Sequence, residues 1–200
     1  FQDRTIYYNK VDDPISGHLL ALQGKEWKER RAMLTPTFTS GKMKIMFEII
    51  DTVAGQFIDT VKNELKSNSR VLEMQELISC FTTDSISNVA FGLNSGSLNN
   101  SNSSMRKYGK EILDFSPLGF LKLLFTSSFP ELSRKIHLTA NKRCVIDFFF
   151  NTFKANIEHR EINNLYRKDF LQLLLDLKRK RNLSVEELAA ESFIFFLGGM

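Results

Sequence analysis

A tryptophan and an arginine one helical turn apart are the residues whose types and spacing could bind a cofactor. Trp27, the chain's single tryptophan, and Arg31 lie in the basic stretch GKEWKERRAMLTPTFTSGKMK, residues 24 to 44. Residues four apart share one face of a helix, and both side chains only donate hydrogen bonds. The planar arginine fork suits a carboxylate. The pair therefore fits an apolar cofactor with acidic arms, although on spacing alone a core anchor beside a solvated charge is the commoner explanation.

Two consecutive glycines near the end of the chain are a second unusual feature. Gly198 and Gly199 close the apolar stretch ESFIFFLGGM. Inside a helix each glycine costs roughly 1 kcal/mol relative to alanine, but it permits a local bulge or the close approach of a flat ligand. A glycine C-cap at the end of the helix is the alternative that the residues leave open.

The cysteines and histidines do not form a recognisable site. Cys80 and Cys144 lie in helix-like segments, and no metal-ligand spacing joins them to His18, His137 or His159. Reduced thiols in the core or at the surface are the expected state of both cysteines. We therefore predict no metal ligand within this chain.

Length and composition indicate one sizeable globular domain. Hydrophobic residues make up 42% of the 200 positions and phenylalanine alone fills 18, which fits an extensive dry interior or an apolar ligand cavity. The net charge of +4 permits contact with an acidic partner or a membrane without requiring nucleic acid. The chain begins at Phe1, has no signal peptide or membrane-spanning run and stops within an apolar helical stretch, so we expect a fragment of a longer protein.

Apolar spacing predicts a mainly helical chain with little sheet. After about 20 irregular residues, helices are expected at 24–34, 41–65, 74–91, 105–115, 132–163 and 168–179, and from a capping box at Ser184 and Glu187 onward. A short strand is expected at Val71 and Leu72. The segment Pro117–Pro130, PLGFLKLLFTSSFP, is expected to be a loop with short helical pieces at best. Such an apolar loop needs a membrane surface or a cavity to cover, unless it folds onto its own core.

Four stretches resemble successive landmarks of a cytochrome P-450, in order and over essentially all 200 residues. They are GKEWKERRAMLTPTFTSGKMK, FTTDSISNVAFGLNSGSLNN, RKDFLQLLLDLKRK and AAESFIFFLGGM. They look most like insect microsomal members of the xenobiotic-metabolising branch. The resemblance implies the all-α cytochrome P-450 fold (mainly α with minor β). Residues 1–200 would be part of a single domain, an N-terminal and central fragment that ends inside the long oxygen-binding helix and lacks the N-terminal anchor and the C-terminal haem-thiolate half.

The resemblance also implies roles for individual residues. Trp27 and Arg31 would hydrogen-bond a propionate of haem b (iron protoporphyrin IX), whose cysteine ligand should lie outside this chain. Gly198 and Gly199 would begin the small-Gly-x-acid-Thr motif of the oxygen-binding helix and are the catalytic candidates, with the acid and threonine beyond Met200. The implied substrate contacts are Leu19, Leu20, Phe115, Leu118, Phe120, Ile194 and Leu197.

The implied activity is insertion of one oxygen atom from O2 into lipophilic small molecules such as xenobiotics, plant toxins, insecticides or hormones. Electrons would come from NADPH through NADPH–cytochrome P-450 reductase, with cytochrome b5 as a second donor. Lys28 and Arg30 are candidates for docking the reductase because they should point away from the Trp27–Arg31 face. The expected location is the cytoplasmic face of the endoplasmic reticulum membrane, where the 117–130 segment would dip into the bilayer and roof the substrate channel. The fragment by itself should be inactive.

A non-catalytic, all-helical interaction module is the alternative hypothesis, because amphipathic helices and an exposed apolar segment also suit protein binding. Nucleic-acid binding is not expected. The basic run KRKR at 178–181 is typical of a solvated helix end, and no base-reading motif accompanies it.

Overall fold

A computed structural model describes residues 6–66, 71–113, 116–181 and 183–200. Its helices are α1 Gly24–Leu34, α2 Ser40–Lys66, α3 Met74–Ala90, α4 Ser104–Leu113, α5 Pro117–Ser128, α6 Pro130–Lys135, α7 Arg143–Ile162, α8 Phe170–Arg181 and α9 Val185–Gly199, with short 3-10 helices at Pro14–Ser16 and Thr35–Phe38. No strand occurs within these ranges, and the predicted all-α class is confirmed. None of the helices in the described ranges combines the length and apolarity needed to cross a bilayer.

Helix α9 forms the centre of the fold. It begins at the predicted capping box, in which the Glu187 N–H donates to Ser184 Oγ at 3.2 Å and the Ser184 N–H donates to Glu187 Oε2 at 2.9 Å. Because α9 is apolar on nearly every side, it must be covered all round. Helices α3, α7 and α8 and the Pro14–Ser16 turn provide that cover.

Phenylalanine rings fill the space around α9. The Phe196 ring centroid lies 5.0 Å from that of Phe149 on α7 and 5.8 Å from that of Phe91 at the end of α3. Phe193, one turn earlier on α9, meets Phe149 at 5.3 Å in an edge-on arrangement. All four rings are almost fully buried. The high phenylalanine content therefore does build a dry interior, since edge-on and tilted ring pairs pack densely without polar groups.

The prediction that residues 117–130 form a loop is wrong, because they form helix α5. The two prolines were interpreted as boundaries of an irregular segment, but proline is well tolerated at the first helical position. Pro117 occupies that position, and the preceding Ser116 caps the helix by accepting a hydrogen bond from the Gly119 N–H at 3.1 Å. The second proline, Pro130, starts the next helix, α6, in the same way.

The single helix predicted over 132–163 is also wrong, since the structure divides it into α6 and α7. The chain between them is held by the N-terminal segment through hydrogen bonds. The Tyr7 hydroxyl donates to the Leu138 carbonyl at 2.7 Å, and the Asn141 N–H donates to Asp13 Oδ2 at 2.9 Å. Both bonds join residues more than 100 positions apart, so no local pattern reveals them.

The short strand expected at Val71 and Leu72 is wrong as well. These residues form a bend and an irregular stretch immediately before α3, and the Val71 side chain is 81% exposed. A β-branched residue favours a strand only where a neighbouring strand and a packed face exist. The described residues contain no strand that could supply either.

A buried ion pair connects the end of α7 to the start of α8. Arg160 Nη1 donates to Asp169 Oδ1 at 2.9 Å, and both side chains are almost completely enclosed. The same carboxylate accepts the backbone N–H of Gln172 at 2.9 Å, so Asp169 also caps the first turn of α8. Arg160 thereby ties the last turns of α7 to the start of α8.

We expect Arg160→Met in the full-length protein to lower the free energy of unfolding by about 3 kcal/mol, because the enclosed Asp169 carboxylate loses its principal partner. Urea unfolding followed by circular dichroism measures the change. The matched control is Arg143→Met, whose pair with Asp147 at 3.2 Å is exposed and should contribute less than about 0.5 kcal/mol. Equal effects of the two substitutions would contradict the assignment.

Candidate functional site

Helix α1 places Trp27 and Arg31 on one face, as their spacing predicts. The guanidinium carbon of Arg31 lies 5.6 Å from the centroid of the Trp27 ring, within the range of a cation–π contact. Trp27 is half-buried and Arg31 is exposed. The two side chains therefore form one surface, with a flat apolar ring beside a cation.

The hydrogen-bonding capacity of this pair is unused within the described part of the chain. Neither the Trp27 indole N–H nor the Arg31 guanidinium donates to any residue in it, and no carboxylate there lies within ion-pair distance of Arg31. An indole N–H and a guanidinium can bind only acceptors. The donor set thus fits a carboxylate ligand with an adjoining apolar body, which describes a haem propionate and its porphyrin.

The prediction that Arg30 docks the reductase is wrong, because Arg30 does not lie on the surface. Only 4% of Arg30 is exposed. Its Nη1 donates to Glu191 Oε1 on α9 at 3.1 Å, and its Nη2 pairs with Glu187, one turn earlier on α9. One residue along a helix changes the direction of a side chain by about 100°, which turns Arg30 inward while Arg31 points out. Lys28 is exposed and remains a docking candidate.

Glu191 is the enclosed member of this ion-pair cluster. Burial raises its pKa from 4.5 to about 7, while the Arg30 charge and a hydrogen bond from the Leu19 N–H, at 3.3 Å, act in the opposite direction. One guanidinium faces two carboxylates here, so burial of the second carboxylate is only partly compensated. The cluster joins the helix that carries Trp27 and Arg31 to the helix that carries the paired glycines.

A cavity of about 410 Å³ lies between the N-terminal segment, α4, α5, α7 and α9. Three residues predicted to contact substrate line it: Leu20, Ile194 and Leu197. Leu19 instead packs against the buried core. Leu118 and Phe120 lie on the outer face of α5, where they are 78% and 53% exposed. Phe115 lies outside the described residues.

Helix α5 contributes four wall residues that the sequence reasoning missed. Gly119, Lys122, Leu123 and Thr126 follow the spacing of three, four and seven that defines one helix face. They were missed because the segment was predicted to be a loop. The Ser-Pro pair at 116–117, an N-cap followed by a first-position proline, is the sequence signal that could have found the helix.

The two glycines of α9 have different surroundings. A Cβ atom at Gly199 would lie 2.5 Å from Cδ1 of Ile86, so this glycine allows α9 to approach α3 closely. A Cβ atom at Gly198 would have no neighbour within 4 Å in the described part of the chain, apart from its own turn of helix. Gly199 is therefore required by helix packing, whereas Gly198 leaves a stretch of backbone accessible beside Leu197.

Neither cysteine resembles a metal ligand. Both are free thiols, Cys80 buried and Cys144 exposed, as predicted. Burial raises the pKa of the Cys80 thiol, with a further contribution from nearby Glu76, so its thiolate is disfavoured. Within the described ranges, no group of three or more histidine, cysteine, aspartate or glutamate side chains could hold a metal ion.

We expect the contribution of Glu191 to the stability of the full-length protein to fall as the pH rises from about 5 to 8. The folded-state pKa of Glu191 lies above its unfolded value, so its contribution is fully present below about pH 4.5 and is lost as the pH rises through about 7. The loss should approach about 3 kcal/mol. Urea unfolding at several pH values should show that the stability of Glu191→Gln relative to the wild type increases over this range, and that the surface control Glu29→Gln gives no such trend. A wild-type slope unchanged by Glu191→Gln would contradict this account.

Comparison with known proteins identifies the family. The family described as Cytochrome P450 matches residues 1–200. Curated relatives similar over the whole chain include Cytochrome P450 6A1 of Musca domestica, 38% identical, Probable cytochrome P450 6a21 of Drosophila melanogaster, 38% identical, and Cytochrome P450 6a2 of Drosophila melanogaster, 36% identical. The chain covers 40%, 41% and 42% of their lengths, respectively. With its family matched from end to end, this chain belongs to the cytochrome P450 family.

Proposed function

We propose that this chain is part of a haem-thiolate monooxygenase that inserts one oxygen atom from O2 into lipophilic small molecules. The observation that carries the proposal is the unused donor pair of Trp27 and Arg31 on one face of α1. The iron-ligating cysteine lies outside these residues, so the 200 residues alone are inactive. Xenobiotics, plant toxins, insecticides and hormones are the substrate classes that suit an apolar cavity.

The residues of this chain have binding and positioning roles in that reaction. Trp27 and Arg31 hold a haem propionate through their N–H groups. When bound, the haem supplies activation of O2, which its thiolate ligand favours by donating electron density. Gly198 keeps the surface of α9 open so that a flat group can approach the backbone, and Gly199 holds α9 close to α3. The acid and threonine that complete the oxygen-binding motif follow Met200.

The cavity holds and orients the substrate. The substrate contacts the apolar side chains of Leu20, Ile194 and Leu197. These side chains exclude water from the reacting bond. Leu118 and Phe120 contact substrates earlier, at the entrance, since both lie on the exposed face of α5. The remaining proposed substrate residues are Leu19 and Phe115. Leu19 supports the cavity wall by packing against the core.

The outer face of α5 lies against the endoplasmic reticulum membrane, on its cytoplasmic side. Its exposed leucines and phenylalanines form an apolar face that a bilayer covers: Leu118, Phe120, Leu121, Leu124 and Phe125. Electrons come from NADPH through NADPH–cytochrome P-450 reductase, with cytochrome b5 as a second donor. The exposed cation Lys28 is the contact on α1 that suits an acidic partner.

We expect the full-length protein, reduced and exposed to carbon monoxide, to show the absorption band of thiolate-ligated haem. The Cys80→Ser and Cys144→Ser variants should retain that band, because burial keeps the Cys80 thiol protonated and Cys144 is an isolated surface thiol. Difference spectra of the three proteins provide the measurement. Correctly folded, haem-loaded protein without the band would refute the proposed function.

Arg31→Ala should accelerate haem loss from the full-length protein about tenfold or more, because a charge-assisted hydrogen bond to a propionate is removed. Transfer of haem to an excess of apomyoglobin measures the rate. Arg31→Lys should restore part of the retention, and Lys28→Ala, which removes a cation from the same helix, should leave it unchanged. If Arg31→Ala retains haem as well as the wild type does, Arg31 does not hold the propionate.

A further inference from the structure

Two lysines bring positive charge to the wall of the cavity. Among the described residues, three charged side chains line it, namely the carboxylate of Glu111 and the ammonium groups of Lys122 and Lys142. Glu111 Oε2 and Lys142 Nζ are 2.6 Å apart and form an ion pair. Lys122 is the remaining cation among the described wall residues, and it lies on the face of α5 that lines the cavity.

Lys122 has unused hydrogen-bonding capacity. Its ammonium group has three donors, and its one side-chain contact in the described residues is a long hydrogen bond to Thr139 Oγ1 at 3.4 Å. No carboxylate in those residues forms an ion pair with it. Partial burial disfavours the charged form of Lys122 and lowers its pKa.

Asp13 is the carboxylate whose charge acts on Lys122, but it forms no ion pair with Lys122. The Asp13 carboxylate raises the pKa of Lys122, but Asp13 is fully enclosed and is not part of the cavity wall. Its Oδ2 accepts both the backbone and the side-chain N–H of Asn141, at 2.9 and 3.0 Å. Burial also raises the pKa of Asp13, which weakens its charge further. The ammonium group of Lys122 therefore lines the cavity with hydrogen-bond donors that have no partner among the described residues.

The other polar groups of the wall do not offset this charge. The hydroxyls of Tyr7, Ser16 and Thr126 each donate to a backbone carbonyl, at distances of 2.7 to 3.1 Å. His18 lines the wall with a buried Nδ1 that has no hydrogen-bond partner in the described residues. Burial lowers the pKa of His18 to about 4, so it is neutral near pH 7 and adds neither a competing cation nor an anion.

We propose that Lys122 selects lipophilic carboxylic acids as ligands of this cavity. The carboxylate binds the ammonium group of Lys122, and the hydrocarbon chain extends along the apolar wall that includes Leu123, Phe193 and Leu197. This inference depends on the proposed function for the identity of the cavity as a substrate site, and it adds the chemical class of the substrate. A neutral ester of the same acid fills the apolar wall equally well but offers no charge to Lys122.

The test compares dodecanoate with methyl dodecanoate as ligands of the full-length protein, using isothermal titration calorimetry. Dodecanoate should bind about tenfold more tightly than its methyl ester, the usual scale of one charge-assisted hydrogen bond in a partly dry site. Lys122→Met should raise the dissociation constant of dodecanoate about tenfold and leave that of the ester unchanged. Lys122→Arg should keep the preference for the acid.

Lys44→Met is the matched control. It removes the same charge from the exposed surface of α2, which contributes no residue to the cavity, so both ligands should bind as in the wild type. Equal binding of acid and ester by the wild type would overturn the proposal, as would an unchanged dissociation constant for dodecanoate in Lys122→Met. Calorimetry does not depend on the haem spectrum. A protein with the thiolate band and no preference for the acid would refute this inference alone, and a missing band would refute only the proposed function.

Discussion

The enclosure of α9 is the constraint on which the rest of this structure depends. A helix that is apolar on almost every side is unstable unless other elements cover it completely. Helices α3, α7 and α8 and the Pro14–Ser16 turn cover most of it, and the close approach of α3 requires glycine at position 199. The cavity lies against the same helix, where Ile194 and Leu197 reach its wall. The position of the cavity is thus a consequence of how the central helix is buried.

Two adjacent arginines on α1 have opposite environments. Arg31 is exposed beside Trp27, with its donors available to a ligand. Arg30 lies about 100° around the helix axis from Arg31. It is enclosed, and its guanidinium pairs with Glu187 and Glu191 of α9. The enclosed pair sets the orientation of α1 relative to α9. That orientation in turn decides the direction in which Trp27 and Arg31 point.

Local signals in the sequence predicted the features that depend on local physics. The bounds of α1 and the capping box of α9 follow from periodicity and cap chemistry, and the structure has both. The shared face of Trp27 and Arg31 follows from helix geometry alone. The break between α6 and α7 could not be predicted, because bonds from Tyr7 and Asp13 to residues more than 100 positions away cause it. The burial of Arg30 was missed for the same reason, since its carboxylate partners are on α9. Lys122 was missed because α5 was interpreted as a loop.

The Arg30 cluster has a consequence for how this protein can change over time. Because the side chain of Arg30 joins α1 to the central helix, a shift of one helix disturbs the other. A lineage that adapts its ligand pocket by shifting α9 must preserve this joint or rebuild it with a compensating pair. Diversification should therefore concentrate on α5, whose cavity face and outer face can vary without disturbing that connection.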